Sequence, residues 1–135
     1  MVSLPKNLVT LGEEAFQGQV TMSITTLPDE IVTIPKNCFY RCSNVGITVF
    51  GSGNSKLTTI GQDAFHFAGG EQIFDKLYFH RGIVTLEKNC FNSYGNRGQG
   101  PTALYTVNDP IALGWNAQNI CGSGSGATIN DWNGI

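Results

Sequence analysis

One pattern of apolar positions recurs along residues 8–91. A four-residue segment with an aliphatic residue at each end and Thr in third place leads to a small residue and then a phenylalanine. The phenylalanine follows the first aliphatic residue by eight positions, and Phe16, Phe39, Phe65 and Phe91 lie 23, 26 and 26 residues apart. Such a period is typical of a solenoid, in which each unit buries its apolar face against its neighbours. We therefore expect the four rings to form a column in the core.

Each unit is predicted to contain a short strand, the aliphatic segment and a single helical turn. Alternation over residues 20–24 would put Val20, Met22 and Ile24 on one face of the first strand. The strands of later units are predicted at residues 45–49, 77–79 and 104–107. Outward strand residues, above all aromatic ones, are the candidate contacts with a partner. These candidate binding residues are Thr21, Ser23, Thr25, Thr48, Tyr78, His80 and Tyr105.

Two further positions in the unit have a consistent chemistry. Asn37, Asp63 and Asn89 lie two residues before a phenylalanine, where their side chains could cap a helical turn, and Glu14 would complement the helix dipole there. The residue just before each phenylalanine alternates between Ala and Cys, which predicts that Cys38 and Cys90 are small buried hydrophobes. There is no CxxC motif, so zinc is not indicated, and a disulfide between Cys42 and Cys121 stays open.

The repeat is not visible after Val107, so the expected division is a solenoid over residues 1–107 and a C-terminal cap or linker over residues 108–135. Trp115 and Trp132 are expected to cover the end of the core. Residues 3–7 match residues 26–30, so the chain starts within a unit and no polar cap precedes it. We expect another subunit, another protein or further residues to cover this end, and the alternative is that the first four residues fold over it.

Residues 24–42, with the sequence ITTLPDEIVTIPKNCFYRC, resemble the unit of the BspA-type leucine-rich repeats, and residues 57–65 and 8–16 match its second half. The resemblance covers about residues 3–107. The third and fourth units lack the Leu-Pro step, and the terminal Cys of the unit survives only as Cys42. The implied fold is α/β: a short right-handed leucine-rich-repeat solenoid, β-dominated with single helical turns, with four repeats plus a C-terminal cap.

The resemblance also implies a function, because members of this family are cell-surface adhesion proteins of gut and oral bacteria and of some parasites, and phages carry similar modules. The expected function is a non-enzymatic protein-binding or adhesion module that presents a repeat surface to a host or cell-surface partner. The alternative is a structural or receptor-binding component of a larger assembly such as a phage virion, with self-association through the N-terminal end. The resemblance assigns no ligand residues, because a fold does not determine a function.

Composition narrows these alternatives. Charged residues make up 13% of the chain and the net charge is −2, which excludes the basic surface of a nucleic-acid-binding protein. No apolar run approaches membrane-spanning length, so no membrane insertion is expected, and no signal peptide is visible. The 17 glycines and the low charge favour an extracellular, cell-surface or virion protein. No catalytic motif is present, and no cofactor, metal or enzymatic activity is expected; an enzyme using His80 and Cys90 is retained as a third hypothesis.

Overall fold

The computed structural model describes residues 4–21, 23–70 and 72–134, and within them two parallel sheets run along the chain. The first sheet has the strand order β1, β3, β5, and the second has the order β2, β4, β6, β7. The strands are β1 (Thr33–Ile34), β2 (Val49–Phe50), β3 (Thr59–Ile60), β4 (Lys76–Phe79), β5 (Thr85–Leu86), β6 (Ala103–Thr106) and β7 (Thr128–Asp131). The helices are a 3₁₀ helix (Asn96–Gly98), α1 (Pro110–Leu113) and α2 (Ala117–Cys121).

The predicted phenylalanine column is confirmed. Consecutive rings of Phe16, Phe39, Phe65 and Phe91 have centroids 5.5, 5.3 and 5.4 Å apart, with planes within 15° of parallel. Spacing of this kind is that of stacked aromatic pairs, which add to the free energy gained by burying each ring. The column is therefore the core of the repeat, and the last three rings are fully buried.

Equivalent residues of successive units lie in register, which is the reason the side chains can stack. In the first sheet Ile34 pairs with Ile60, and Ile60 with Leu86. The turns carrying the phenylalanines form a third ladder, in which the N–H of each phenylalanine donates to a carbonyl of the next unit. The distances are 2.9 Å for Phe16, Phe39 and Phe65, and 3.0 Å for Phe91. Each unit thus satisfies its backbone mainly through its neighbours.

The capping role predicted from the polar residues before the phenylalanines is wrong. Glu14, Asn37, Asp63 and Asn89 have φ between 58° and 59°, whereas an N-cap residue has an extended backbone. These residues occupy left-handed positions in tight turns, a conformation that Asn and Asp tolerate better than most other residues. Asn and Asp are common both in caps and in left-handed turns, so the sequence pattern did not separate the two.

Of the first predicted strand, the described residues 20, 21, 23 and 24 do not lie in a strand. Ile24 makes a single parallel bridge to Val45, and Val20 is 59% exposed. Met22, which was assigned to the same face, lies outside the described residues. The alternation of residues 45–49 also shifts: Val49 is exposed, because Phe50 instead points inward and stacks on Phe79 at 5.3 Å. Burying a phenylalanine ring gains more free energy than burying a valine.

Residues 108–134 extend the second sheet and the hydrogen-bond ladder of the phenylalanine turns, although no repeat is visible in their sequence. The carbonyl oxygens of Asn119 and Ile120 in α2 accept from Asn89 and Phe91, and β7 pairs with β6. Trp115 packs edge-on against Phe79 at 5.5 Å. Trp132 does not cover the end of the core as expected, because its ring lies on the outer side of the second sheet. Whether residues 108–135 are a separate cap stays a prediction.

All four cysteines are free and buried, so no Cys42–Cys121 disulfide is present. Burial raises the pKa of Cys38 and of Cys121 to about 12, and the neighbouring Cys42 adds to the shift of Cys38. The pKa of Cys90 is raised well above its ordinary value, first by burial and then by the nearby Cys121. Cys38 and Cys90 are thus the buried hydrophobes that their place in the repeat predicted.

Candidate binding surface on the four-stranded sheet

Three of the seven predicted binding residues converge on the outer face of the second sheet. In β4 Leu77 and Phe79 are buried, so the side chains between and after them, Tyr78 and His80, point outward. The parallel register places Tyr105 of β6 beside Tyr78. Their rings stack with centroids 5.1 Å apart and planes 19° from parallel. The stacking follows directly from the register, since residues paired on one face have adjacent side chains.

Trp132 completes this group, and the sequence analysis did not assign it a binding role. Its ring centroid lies 5.1 Å from that of Tyr78 and 4.7 Å from that of His80. Tyr78, His80, Tyr105 and Trp132 are called the aromatic cluster below. No signal in the sequence places Trp132 on the second sheet, because its segment lacks the repeat pattern; in the structure it lies two residues after Asn130, which pairs with Tyr105. Residues two apart in a strand share a face.

The aromatic cluster borders an open depression of about 890 Å³ on the protein surface. Val49, Asp131, Asn133 and Gly134 complete its lining. All four members of the cluster are partly buried, so each ring is held in place while part of it remains accessible. The depression therefore offers aromatic surface with a few polar groups at its edge, which is the composition of a site that takes a side chain or a small ligand.

The other four predicted residues lie elsewhere. Ser23 and Thr25 line a separate depression of about 640 Å³ together with residues of the first two units. Thr21 is exposed and lines neither depression. Thr48 is partly buried and precedes β2, where its carbonyl accepts from the N–H of Tyr78 at 2.8 Å. The seven residues consequently do not form one continuous site, and the structure brings together only the aromatic members and His80.

The geometry does not assemble the nucleophile of the third hypothesis. Cys90 is fully buried, and burial raises the pKa of its thiol well above the ordinary value. A reactive cysteine needs a lowered pKa and access to solvent. His80 instead lies on the outer face against Trp132. Among residues 4–21, 23–70 and 72–134, no group of three or more His, Cys, Asp or Glu side chains is placed to hold a metal ion.

Comparison with known families identifies the repeat. The profile of the BspA-type leucine-rich repeat region matches residues 1–96 in six copies. The chain belongs to the BspA-type leucine-rich repeat family. Leucine-rich-repeat proteins are typically protein-interaction modules without enzymatic activity. The six copies of this BspA-type profile differ from the four units that the phenylalanines mark, so the number of repeats stays a prediction.

A crystal structure supports the same architecture for this BspA-type chain. A leucine-rich repeat protein from Bacteroides ovatus superposes with a TM-score of 0.61 over 98% of the chain, at 13% sequence identity. The chain spans 37% of the length of that protein, and at this identity the likeness shows the fold alone. A search of curated proteins gave no match. No helix in the described ranges is long and apolar enough to cross a membrane.

Proposed function

We propose that this BspA-type chain is an adhesion module that binds a protein on a host or cell surface through the aromatic cluster. The observation that carries the proposal is the convergence of Tyr78, His80, Tyr105 and Trp132 around one depression on the outer sheet face. Tyrosine and tryptophan are the residues most often found as anchors of protein interfaces. Partly exposed aromatic rings grouped at one place favour binding over a purely structural role.

The rigidity of the platform beneath the cluster supports this proposal. Phe79 is the last residue of β4 and lies between Tyr78 and His80 in the chain. Its ring stacks on that of Phe50, and its centroid lies 5.7 Å from that of Phe91. Trp115 packs against the edge of the same ring. A partner that binds the cluster therefore meets side chains that are already held in place, and the entropic cost of ordering them on binding is small.

The proposal is tested by binding of the intact chain to cells. The biotinylated chain, assembled on fluorescent streptavidin, is applied to a panel of epithelial and bacterial cells and measured by flow cytometry. We expect the chain to stain part of the panel, and Tyr105→Ser to lose most of that staining. Ile111→Ser is the matched control, because Ile111 is 88% exposed and lies outside the cluster. Equal loss of staining in the two variants, or staining that protease treatment of the cells leaves unchanged, would contradict the proposal.

A second candidate function, a component of a larger assembly, is favoured by the outer side of the first unit. Phe16 stacks on Phe39 on one side and is only partly buried. The carbonyls of Lys36, Cys38 and Tyr40 accept N–H groups from the first unit. Among the described residues no N–H donates to the matching carbonyls of residues 13, 15 and 17. A row of free acceptors beside apolar surface is a template for another chain.

Mass measurement separates the two candidates. In the assembly proposal the chain self-associates at micromolar concentration in light scattering coupled to size exclusion, and Leu8→Glu restores the monomer. In the adhesion proposal the chain is a monomer that still stains cells. Val9→Glu is the control for added charge in the same unit, because Val9 is exposed and Leu8 packs against the core. A monomer at all concentrations would contradict the assembly proposal.

A further inference from the structure

A second row of equivalent residues lies on the turns that carry the phenylalanine column. Gly18, Arg41, Phe67 and Ser93 each follow a column phenylalanine by two residues. The N–H groups of Gly18, Arg41 and Phe67 donate to carbonyls of the next unit at 2.8, 3.0 and 3.0 Å. These bonds hold the four positions side by side, and we call them the turn row. The row shares no residue with the aromatic cluster.

Phe67 has a backbone conformation that is unfavourable for its residue type. All four residues of the turn row have positive φ, 77°, 62°, 56° and 57° in chain order. Glycine adopts this region without penalty, and Gly18 does so in the first unit, but a bulky aromatic residue there is strained. The strain is not offset by burial in the core, since Phe67 is 44% exposed. Residues held in such conformations cluster at functional sites, so the exposed ring of Phe67 is a candidate contact residue.

Arg41 supplies a charged group at the same place. Its guanidinium carbon lies 5.3 Å from the ring centroid of Tyr40 and 5.4 Å from that of Phe67. The side chain is exposed, and among the described residues no carboxylate pairs with it. A guanidinium held against two rings keeps its N–H donors available in a fixed geometry, which suits a two-point hydrogen bond to a carboxylate.

The depression beside Arg41 is lined by apolar surface and a single cationic side chain. Gly18, Val20, Arg41 and Phe67 line a shallow depression of about 520 Å³. His66 stacks on Phe67 with centroids 4.3 Å apart, and its Nδ1 lies 2.9 Å from Oδ1 of Asp63. A doubly charged phosphate would meet a single arginine among the residues that line the depression, whereas phosphate sites usually gather several cations. A carboxylate carries one charge and fits this balance.

We propose that the turn row is a second binding site, which takes an acidic side chain of a protein partner. The Asp or Glu carboxylate of the partner pairs with Arg41, and an adjacent apolar side chain of the partner packs on Phe67 and Val20. The strained conformation of Phe67 places its ring where it both supports the guanidinium and contacts the partner. The site would act independently of the aromatic cluster, so loss of binding at one leaves the other intact.

The test is a nuclear magnetic resonance titration of the intact ¹⁵N-labelled chain. The probes are the acetylated and amidated tripeptides Leu-Glu-Phe and Leu-Gln-Phe, and inorganic phosphate. We expect the Glu peptide to shift the side-chain Nε–H of Arg41 and the amides of Val20 and Phe67, with about tenfold weaker binding of the Gln peptide. Equal affinity for the two peptides, tighter binding of phosphate, shifts confined to the aromatic cluster, or no shifts would each overturn the proposal.

Three variants separate binding from folding. Arg41→Gln should lose the preference for the Glu peptide and keep the thermal midpoint of the parent. Phe67→Gly should keep or raise the thermal midpoint, because glycine relieves the strain. The same variant should still bind the Glu peptide several-fold more weakly. Arg97→Gln is the control, because Arg97 is also exposed and has φ of 58° but lies outside the row. Unchanged affinity in Arg41→Gln, or an equal loss in Arg97→Gln, would overturn the proposal.

Discussion

The first and third units have nearly the same sequence and very different environments. Residues 8–16 read LVTLGEEAF and residues 57–65 read LTTIGQDAF. Phe65 is fully buried between Phe39 and Phe91, whereas Phe16 is partly buried and, within the described ranges, stacks on Phe39 alone. Ala64 is buried, and Ala15 is exposed. The difference teaches that a unit of this solenoid obtains its stability from its neighbours and only in small part from its own sequence.

The same comparison bears on function. Tyr78, His80 and Tyr105 stand on the later units, where the core beneath them is complete. The candidates Thr21, Ser23 and Thr25 stand beside the first unit, where Ile24 makes a single bridge and the described residues 20, 21 and 23 lie in no strand. A rigid base favours precise binding, because less conformational entropy is lost when the partner binds. This contrast favours the aromatic cluster over the threonine and serine positions.

The largest expected effect on stability comes from truncating to alanine the two phenylalanines of the first and third units. Phe65→Ala should lower the free energy of unfolding by about 3–5 kcal/mol, because it leaves a cavity between two rings. Phe16→Ala should cost about 1–1.5 kcal/mol, since that ring is only partly removed from water. Urea denaturation measures both, with Val9→Ala as an exposed control in the first unit. Equal losses for the two phenylalanines would contradict the account.

The buried thiols predict a loss of stability at alkaline pH. The pKa of Cys38 and of Cys121 rises from 9.0 to about 12 on folding, because burial disfavours the thiolate. The unfolded chain releases these protons first, so the stabilisation is complete below pH 9 and is lost as the pH rises toward 12. Each thiol should contribute about 3 kcal/mol of this loss at pH 11.

Urea denaturation at several pH values between 8 and 11 checks the alkaline effect. Cys38→Ala and Cys121→Ala should make the profile less steep, and Ala is a conservative choice at Cys38 because it fills the equivalent place in the first and third units. The neutral-pH stability of each variant is the internal reference. A wild-type profile as flat as that of the double variant would contradict the assignment of the loss to the thiols.

A smaller effect is expected at Tyr94, which supports the third and fourth units. Its ring lies 5.1 Å from Phe65 and 5.4 Å from Phe91, and its hydroxyl donates to the carbonyl of Ile47 at 2.6 Å. Tyr94→Phe keeps the ring contacts and leaves a buried carbonyl without its donor, which should cost about 1–2 kcal/mol. Tyr105→Phe is the control, because Tyr105 is only partly buried. A cost no greater than that of the control would show that the hydroxyl contributes nothing.

The column was predictable because it needs only spacing. The eight-residue step to each phenylalanine is independent of turn details, and it identified every ring of the column. The left-handed turns before each phenylalanine were not predictable, because Asn and Asp there suit both a helix cap and a left-handed turn. The turn row, two residues after each phenylalanine, was missed for a different reason. Arg41 and Phe67 occupy left-handed positions that no residue preference indicates. Such positions become visible only when the backbone is known.

The aromatic cluster was predicted in part for a similar reason. Tyr78, His80 and Tyr105 follow from alternation within strands whose inward residues are obvious. Trp132 lies in a segment without the repeat pattern, so its pairing beside β6 depends on contacts between distant residues. Thr48 was predicted to face outward from the alternation of residues 45–49. That alternation does not continue to the end of the segment, because Phe50 is buried against Phe79. Tertiary packing decides such cases, and a single sequence does not reveal it.

Native-state hydrogen exchange of two amides tests the dependence on neighbours most directly. The N–H groups of Phe16 and Phe65 each donate to a carbonyl of the next unit at 2.9 Å, so the local hydrogen bonds are the same. If stacking on both sides confers stability, the Phe65 amide exchanges only through global unfolding, and the Phe16 amide exchanges through opening of the first unit at much lower free energy. Equal protection of the two amides would contradict the account.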